Sequence, residues 1–438
     1  MSLPRLAYTL LVWLVMPLAA LYLLWRSRRQ PAYRAHWGER FGWARYTAPR
    51  DQPIIWIHAV SVGETRAAEP LISALAQRFP QHEFLLTHMT PTGRATGAEL
   101  AARWPGRLRQ VYLPYDMPFA VRRLLRAHAP VVGLGMETET WPNLLAEARA
   151  AGLPMVLVNA RLSERSLSKA KRLPRLMREA AQSFTKVLAQ TDADAARMRE
   201  VGAEEVVVIG NLKFDFTPDP VLVERGRSFR AAAGGRKVLL FATTREGEEA
   251  MLLDALAGAT AEALASALVI LVPRHPQRFE DVARLIAARG RPVLRRSTLA
   301  DWSEAAGSSS ASAVLLGDSM GEMAMYYASS NVAFIGGSLL PLGGHNLIEA
   351  CGVGVPVVVG PHTFNFAQAT DDAIGAGAVV RVDDATSAVA AMLQIANDAD
   401  RTAHMSDAAL RFARQHRGAT DRALAHIAPL IEARTKAR

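Results

Sequence analysis

Short apolar runs alternate with stretches of helical periodicity along most of the 438-residue chain, and this alternation constrains the fold more than any other feature. Strands and helices that alternate in this way are typical of parallel sheets covered by helices. The chain is therefore predicted to be an α/β protein with two doubly wound, Rossmann-like domains. The predicted strands are residues 54–59, 83–87, 111–113, 131–136, 155–159, 187–189 and 206–209, followed by 238–241, 268–272, 292–294, 313–316, 332–335, 355–359 and 378–382.

The alternation is interrupted between Asn211 and Arg236, where prolines and charged residues replace the apolar runs. A linker is predicted there, and the length suits two domains of ordinary size. Ligands of such sheets bind at the carboxyl ends of the strands, so we expect the site in a cleft between the domains. The predicted segments are an N-terminal membrane anchor (1–27), a first domain that binds the acceptor (28–215), a linker (216–236), a second domain that binds the donor (237–415) and a helical tail (416–438).

The N-terminal segment from Leu6 to Trp25 contains 20 residues without a charge, which is long enough for a transmembrane helix. Arginines follow it at 26, 28 and 29, whereas only Arg5 precedes it, so the positive-inside rule places the main body in the cytoplasm. A cleaved signal peptide is disfavoured because the flanking charge follows the apolar run. A helix lying in the membrane plane is disfavoured because the segment is apolar on all sides.

The net charge of +10 suits a membrane surface, an anionic substrate or nucleic acid. Nucleic acid is disfavoured, since the sequence has no zinc-finger spacing, no RNP-like aromatic motif and no long basic run. Cys351 is the one cysteine, so no disulfide can form within the chain. No His or Cys spacing indicates a metal site, and Asp192 and Asp194 lie at a predicted helix start, where Asp is a common capping residue.

Polar residues follow several strands of the first domain. Glu64 lies on a tight turn into a helix, where a carboxylate can act as a general base on a hydroxyl or can simply stabilise the helix N-terminus. Glu137 and Glu139 follow the fourth strand, and both sugar binding and a structural ion pair are open to them. The remaining candidates are Thr90, Thr92 and Gly93, which offer hydroxyls and an N–H group to an anion as ordinary turns also do, and Lys213 after the last strand.

The second domain carries its own set of residues at strand ends. Arg274 and His275 lie between two prolines, and an arginine in a rigid loop is a good phosphate or carboxylate ligand. Met320 and Gly321 belong to the Gly317–Glu322 segment, which follows the fourth strand of this domain.

The stretch from Phe334 to Phe366 combines a strand, a glycine-rich loop and a predicted helix start. We call residues 336–346 the glycine loop. Free backbone N–H groups in such a loop would form an anion site, and Glu349 in the helix could accept hydrogen bonds from a sugar diol. The alternative is an ordinary βαβ turn. The loop residues predicted to bind are Gly336, Gly337, Ser338, Gly344, His345 and Asn346.

Seven segments taken in order resemble the 3-deoxy-D-manno-octulosonic acid (Kdo) transferases of Gram-negative bacteria. The resemblance implies a GT-B fold and transfer of Kdo from CMP-Kdo to a lipid A precursor at the inner membrane, with inversion at the anomeric carbon. It implies no metal and no cofactor, with Glu64 as the base. The segments are His58–Glu64, Thr90–Gly93, Glu137–Asn143, Gly210–Asp215, Pro273–Pro276, Gly317–Glu322 and Gly336–Phe366.

The resemblance also assigns roles to other residues. Arg274 would meet the CMP phosphate or the Kdo carboxylate, the glycine loop would hold the phosphate, and Glu349 would bind the ribose. Lys213 and Glu139 would position Kdo. Two open alternatives are a GT-B transferase that uses another nucleotide sugar and a membrane-tethered protein that binds lipid or nucleotide without catalysis.

The chain departs from the expected family pattern in two places. Arg245 stands where a His usually precedes Glu-Gly-Glu-Glu, which leaves one donor or acceptor contact open. The run Glu349-Ala350-Cys351 replaces Glu-Pro-Ala, a change that we expect to affect packing alone.

Overall fold

The computed structural model describes residues 2–28, 30–44, 52–260, 266–308 and 313–437. The chain divides into two compact units, the first formed by Met1–Asp215 with Arg417–Arg438 and the second by Phe216–His416. Each unit contains one seven-stranded sheet in which all paired strands are parallel. The predicted α/β class with two doubly wound sheets is confirmed.

The sheet of the first unit has the strand order β3-β2-β1-β4-β5-β6-β7. Its strands are β1 Ile54–His58, β2 Glu83–His88, β3 Leu108–Tyr112, β4 Val132–Met136, β5 Met155–Ala160, β6 Lys186–Ala189 and β7 Val206–Val208. Its helices are α1 Leu3–Ser27, α2 Trp37–Arg40, α3 Val62–Arg78, α4 Pro91–Ala101, α5 Pro118–His128, α6 Pro142–Ala150, α7 Glu164–Ala170, α8 Pro174–Ala181 and α9 Asp192–Val201, with 3-10 turns at Pro31–Arg34 and Leu212–Asp215.

The sheet of the second unit has the order β10-β11-β9-β8-β12-β13-β14. Its strands are β8 Lys237–Thr244, β9 Ala267–Pro273, β10 Val293–Arg295, β11 Val314–Leu316, β12 Val332–Ile335, β13 Val357–Val359 and β14 Val379–Arg381. Its helices are α10 Pro220–Ala232, α11 Glu248–Gly258, α12 Phe279–Ala287, α13 Trp302–Ser308, α14 Met323–Ser329, α15 Ile348–Val353, α16 Ala367–Gly375, α17 Ala385–Asn397 and α18 Ala399–Gln415, with 3-10 turns at Pro276–Arg278 and Arg296–Thr298.

The strand order reverses beside the first strand of each sheet. In the first unit β1 lies between β2 and β4, and in the second unit β8 lies between β9 and β12. A crevice forms at such a reversal, outside the carboxyl ends of the two neighbouring strands. The residues that follow β1, β4, β8 and β12 are therefore the ones that the fold places for ligand binding.

The central strands are apolar along their length because helices cover both faces of each sheet. In β1 and β4 every residue is buried. Ile55 and Ile57 belong to one apolar cluster of the first unit, and Trp56 belongs to another. Because Trp56 lies between Ile55 and Ile57 in the strand, neighbouring residues of β1 pack on opposite faces of the sheet.

The last helix, α19 Ala419–Lys436, belongs to the first unit. Its Ile427 and Ile431 are fully buried in the core that also contains β1. Asp215 accepts hydrogen bonds from the N–H groups of Gly418 and Thr420, at 2.6 and 2.5 Å. The predicted helical tail therefore completes the core of the first unit.

The segment predicted as a linker, residues 216–236, contains helix α10 and lies in the second unit. Phe229 of α10 is fully buried and stacks on Trp302, with ring centroids 4.6 Å apart. A side chain at Gly226 would come within 2.3 Å of the Met325 carbonyl oxygen, so α10 and α14 make close contact there. The boundary between the units lies at Asp215–Phe216.

Helix α1 is the one helix in the described part of the chain that is long and apolar enough to cross a membrane. One of its faces packs against the first unit. The Tyr8 hydroxyl donates to Asp116 Oδ2 at 2.9 Å, and the Thr9 hydroxyl donates to Asn143 Oδ1 at 3.0 Å. Trp13 stacks on Phe119 at 5.4 Å.

Candidate functional site

Glu64 lies in the first turn of α3, directly after β1. Ser61 caps this helix, and the Glu64 carboxylate accepts hydrogen bonds from the Val60 N–H and the Ser61 hydroxyl, both at 2.8 Å. Burial first, and the negative charge of Glu139 second, raise the pKa of Glu64 to about 7, although the two hydrogen bonds oppose the rise. A carboxyl with this pKa can accept a proton at neutral pH and hold it.

Glu139 follows β4, the neighbour of β1 in the sheet. Its Oε2 accepts a hydrogen bond from the Trp141 indole N–H at 2.7 Å and lies 3.4 Å from His58 Nε2. His58 is buried at the end of β1, and its Nδ1 contacts the Thr87 hydroxyl at 2.9 Å. The indole and the imidazole thus hold the carboxylate whose charge acts on Glu64. The sequence reasoning did not single out His58, although its position at the end of β1 could have indicated it.

Glu137 and Lys213 form an ion pair, with Lys213 Nζ 2.7 Å from Glu137 Oε1. Glu137 adopts the left-handed conformation with φ of +55°, which is uncommon for a residue with a side chain and occurs most often at functional sites. The ion-pair alternative for Glu137 is therefore present in the structure. Lys213, predicted to contact the donor, lies in the first unit beside this carboxylate.

Thr90, Thr92 and Gly93 form the start of α4. The Thr90 hydroxyl caps the helix by accepting from the Gly93 N–H at 3.1 Å, and it donates to the Val60 carbonyl at 3.0 Å. A Cβ at Gly93 would lie 2.8 Å from the same carbonyl oxygen. The Thr90 hydroxyl and the Gly93 N–H were predicted to bind an anion. In the structure they bond to each other, and they fix the backbone next to Glu64. Thr92 is exposed.

In the second unit the buried carboxylate of Glu248 binds the glycine loop. It accepts hydrogen bonds from the N–H groups of Gly337 at 2.6 Å and Leu339 at 3.0 Å, and from that of Arg245 at 2.9 Å. Glu248 itself is fully buried. Glu248 could not be recognised from the sequence, since two of its three partners lie about ninety positions further along the chain.

The backbone N–H groups of the glycine loop were predicted to be free, and the structure corrects this prediction. Besides Gly337, the Gly336 N–H donates to the Ala242 carbonyl, the Gly344 N–H to the Gly337 carbonyl and the His345 N–H to the Gly336 carbonyl, at 2.8, 2.7 and 3.1 Å. The prediction is wrong for these four groups, because the protein itself satisfies them. Ser338 is also structural, since its hydroxyl donates to the Ile335 carbonyl and accepts from the Gly360 N–H.

Basic side chains gather beside this loop. His345 Nδ1 contacts the Thr243 carbonyl at 2.8 Å, and since a carbonyl can only accept, Nδ1 carries the proton. Burial first, then the positive charge of Arg274, lower the pKa of His345 to about 4, with further contributions from Arg245 and His275. Burial, followed by the charges of Arg245 and Arg274, also lowers the pKa of His275. These mutual effects define a basic cluster of Arg245, Arg274, His275 and His345.

Glu349 lies in the first turn of α15 and is oriented by Asn346, whose Nδ2 donates to Glu349 Oε1 at 3.1 Å. Asn346 Oδ1 in turn accepts from the Ile348 N–H at 3.0 Å. Burial, then the negative charge of Glu349, raise the pKa of the Tyr327 hydroxyl, whereas the Arg274 charge opposes the rise. Glu349 and Arg274 are therefore close enough to act on one buried phenol.

The loop after β11 exposes Met320, which is 56% accessible, and places Gly321 in the left-handed region with φ of +80°. The polar side chains around them bond within the protein. Asp318 accepts from the Ser297 N–H at 2.8 Å, and Glu322 pairs with Arg296 at 2.9 Å. Met320 and Gly321 thus form the exposed turn of an otherwise fixed loop.

Within the described ranges, no group of three or more His, Cys, Asp or Glu side chains could hold a metal ion. Asp194 accepts hydrogen bonds from the Leu162 N–H at 2.9 Å and the Thr191 hydroxyl at 2.7 Å, and it pairs with Arg197 at 3.0 Å. Asp192 lies in the first turn of α9. The Asp192-Ala193-Asp194 segment therefore has the structural role expected for a helix start.

The chain matches a family model, curated proteins and solved structures. The family model "3-Deoxy-D-manno-octulosonic-acid transferase (kdotransferase)" matches residues 35–216. A 3-deoxy-D-manno-octulosonic acid transferase of Bordetella pertussis is 48% identical over 421 residues, which are 93% of this chain and 95% of that protein. The crystal structure of the C-terminal CMP-Kdo binding domain of WaaA from Acinetobacter baumannii is 34% identical and covers 44% of this chain and 98% of its own, with a TM-score of 0.40.

The two-unit architecture also has a solved counterpart. Anabaena Alr3699/HepE in complex with UDP is 16% identical, covers 86% of this chain and 99% of its own, and has a TM-score of 0.57, which shows a shared fold. The Bordetella protein is similar across nearly the full length of both chains and shows the family directly. The chain belongs to the 3-deoxy-D-manno-octulosonic acid (Kdo) transferases.

Proposed function

We propose that this Kdo transferase moves Kdo from CMP-Kdo to a hydroxyl of a lipid A precursor, in one inverting displacement that needs no metal. The observation that carries the proposal is the Glu64 carboxyl, whose pKa of about 7 suits a general base at neutral pH. Its two hydrogen bonds from Val60 and Ser61 fix its orientation.

In the proposed step the acceptor hydroxyl gives its proton to the Glu64 carboxylate. The hydroxyl oxygen forms a bond to the anomeric carbon of Kdo while the bond from that carbon to the CMP phosphate oxygen breaks. The electron pair of the broken bond stays on the phosphate, so CMP leaves as an anion. A single displacement of this kind inverts the anomeric configuration.

The basic cluster of the second unit supports the donor half of the proposal. The positive charges of Arg245 and Arg274 lower the pKa of His275 and of His345, so these side chains lie close together. Fixed cations of this kind stabilise charge on a leaving phosphate. Arg245 joins this cluster at the position where the family pattern has His, so we assign it to the same phosphate or to the Kdo carboxylate. Glu349, held by Asn346, is proposed to bind the ribose diol.

The glycine loop has a different role from the one first predicted. Because Glu248 and neighbouring carbonyls satisfy its N–H groups at Gly336, Gly337, Gly344 and His345, we propose that these residues give the loop its shape and let the nucleotide approach closely. Met320 and Gly321 are proposed to contact the donor from the adjoining loop.

On the acceptor side, Glu137 with Lys213 and Glu139 with His58 are proposed to position the sugars around Glu64. The acceptor is proposed to be a lipid of the inner membrane, with both units in the cytoplasm and α1 as the membrane attachment. The exposed leucines of α1 and the net charge of +10 support this location.

Purified protein incubated with CMP-Kdo and a tetraacylated lipid A precursor tests the function. Mass spectrometry should show the precursor heavier by one or more Kdo residues, with CMP released in equal amount. Transfer of another sugar from a UDP-sugar, with UDP released and no transfer from CMP-Kdo, would contradict the donor assignment. Lipid binding without any CMP release would contradict catalysis.

A further inference from the structure

Helix α1 contacts the first unit along its whole length. The side chains involved recur every three or four positions, which is one face of a helix. Arg5 pairs with Glu179 at 3.7 Å, and Leu23 and Ser27 at the other end are each 3% exposed. We call this set the docking face: Ser2, Arg5, Thr9, Val12, Met16, Ala20, Leu23 and Ser27.

Two polar contacts hold α1 on the first unit, one from Thr9 in the docking face and one from Tyr8 beside it. Asp116 is 4% exposed and accepts hydrogen bonds from the Asn143 N–H at 3.0 Å, the Leu144 N–H at 2.7 Å and the Tyr8 hydroxyl at 2.9 Å. Thr9 donates to Asn143 beside it at 3.0 Å. If α1 left the first unit to cross a bilayer, Asp116 would lose one partner. The Tyr8 hydroxyl would then have to find a new acceptor in hydrocarbon, whereas the Thr9 hydroxyl would keep its hydrogen bond to the Arg5 carbonyl at 2.8 Å.

The opposite face of α1 is apolar and exposed. Leu3 is 79%, Leu14 is 75% and Leu18 is 63% accessible, and these residues share a stripe with Ala7, Leu10, Leu21 and Trp25. We call this stripe the lipid face. An apolar strip that extends along a 25-residue helix is too large to be left in water by a soluble surface. A helix that packs one face on protein can bury an apolar stripe on its other face in a membrane interface without crossing the bilayer.

Exposed arginines lie at the end of α1 and on the helices that α1 contacts. Arg26 and Arg28 are exposed at the end of α1, and Arg122, Arg123 and Arg126 are exposed on α5, whose Phe119 stacks on Trp13. Arg175 is exposed on α8, the helix that carries Glu179. Exposed arginines at this position suit the negative headgroups of an anionic leaflet.

We propose that α1 stays docked on the first unit and lies along the cytoplasmic leaflet of an anionic bilayer, with the lipid face in the acyl boundary and the arginines at the headgroups. The helix does not cross the membrane. This arrangement differs from the single-pass anchor that the uncharged length of residues 6–25 and the arginines after it predict. The in-plane helix was disfavoured because the segment lacks a polar face, and Tyr8 and Thr9 are the polar residues through which α1 docks. It does not depend on which sugar or acceptor the enzyme uses.

Cysteine labelling in spheroplasts tests the topology. The native Cys351 is fully buried and burial raises its thiol pKa to about 12, so it gives little background. Ser2→Cys at the start of α1, outside the lipid face, and Ala437→Cys at the chain end should both stay unlabelled by a membrane-impermeant maleimide until the spheroplasts are lysed. Labelling of Ser2→Cys, but not Ala437→Cys, before lysis would overturn the proposal.

A cross-link in native membranes tests the docking itself. The pair Thr9→Cys with Asn143→Cys should be joined by a short bismaleimide, because the two native side chains are 3.0 Å apart. The matched control pair is Leu10→Cys with Asn143→Cys, since Leu10 is 61% exposed on the opposite face, and it should stay unlinked. Equal yields for the two pairs, or no link in either, would overturn the docked arrangement.

Vesicle binding tests the choice of an anionic surface. The purified full-length protein should bind vesicles of phosphatidylcholine mixed with phosphatidylglycerol more tightly than vesicles of phosphatidylcholine alone. The preference should weaken in high salt, because salt screens the arginines. Equal binding to both compositions would remove the anionic leaflet from the proposal.

Discussion

Glu64 shows how one residue can meet two requirements. It occupies the N3 position of a helix, where a carboxylate is commonly a capping partner, and its hydrogen bonds to Val60 and Ser61 fit that role. Burial and Glu139 nevertheless raise its pKa to about 7. The helix-start role is therefore present in the structure, and the electrostatic surroundings suit the same side chain to accept a proton, as the base that we propose.

The Glu139→Gln variant tests the electrostatic part of this arrangement. Removing the negative charge favours the ionised form of Glu64, so the pKa of Glu64 should fall below about 7 while burial keeps it above its ordinary value. The rate of Kdo transfer, normalised to each protein's own maximum, should therefore rise at a lower pH in the variant than in the wild type.

Glu69→Gln is the matched control, because Glu69 lies on the same helix and pairs with exposed Arg103. Its pH profile should coincide with that of the wild type. A Glu139→Gln profile that stays in place or moves to higher pH would contradict the proposed coupling between Glu139 and Glu64.

At the scale of the elements, much of the fold could be predicted from the sequence. Each of the fourteen strands in the two sheets overlaps a predicted apolar run, because a strand buried on both faces is apolar along its length. The positions of Glu64, Glu139, Arg274 and His345 at strand ends followed from the same pattern.

Contacts between distant positions could not be predicted in this way. Glu248 binds Gly337 across 89 positions, and Tyr8 binds Asp116 across 108, so neither pair leaves a local signal. The glycine loop therefore suggested free N–H groups that the buried carboxylate in fact satisfies. The polar residues of α1 likewise looked too few to form a face until their partners were known.

Replacing Glu248 tests how the glycine loop is held. In Glu248→Ala the N–H groups of Gly337, Leu339 and Arg245 lose their acceptor, so the free energy of unfolding of the second unit should fall by about 2–4 kcal/mol. Affinity for CMP should fall as well. Urea unfolding followed by hydrogen exchange in β8 and β12, together with calorimetric titration with CMP, would measure both effects.

The control for this loop is Glu246→Ala, two positions away, whose side chain is 83% exposed. It should change stability by no more than about 0.5 kcal/mol. If the two variants unfolded alike and bound CMP alike, the glycine loop would not depend on the buried carboxylate.

At the scale of the whole molecule, the chain leaves the first unit at Asp215 and returns to it at Arg417. The returning helix α19 buries Ile427 and Ile431 in the core beside β1, and Arg422 donates to the Ile209 carbonyl at 2.8 Å. The amphipathic pattern of the final residues predicted a helix but could not show which unit it would join.

Ile427→Ala is expected to destabilise the first unit by about 2–5 kcal/mol, because it removes a fully buried side chain and leaves a cavity. Hydrogen exchange should speed up in β1 and β4, whereas β8 and β12 of the second unit should keep their wild-type protection. His426→Ala, on the neighbouring position of α19, is the control. Faster exchange in the second unit instead of the first would contradict the assignment of α19.

The central claim is that Glu64 is the base for Kdo transfer, and Glu64→Gln tests it most directly. The variant should bind CMP-Kdo as the wild type does, because the residues proposed to hold CMP lie in the second unit, while the rate of transfer to the lipid A precursor falls by about 100-fold or more. Glu69→Gln should transfer at the wild-type rate. Near-normal turnover in Glu64→Gln with unchanged CMP-Kdo binding would contradict the account.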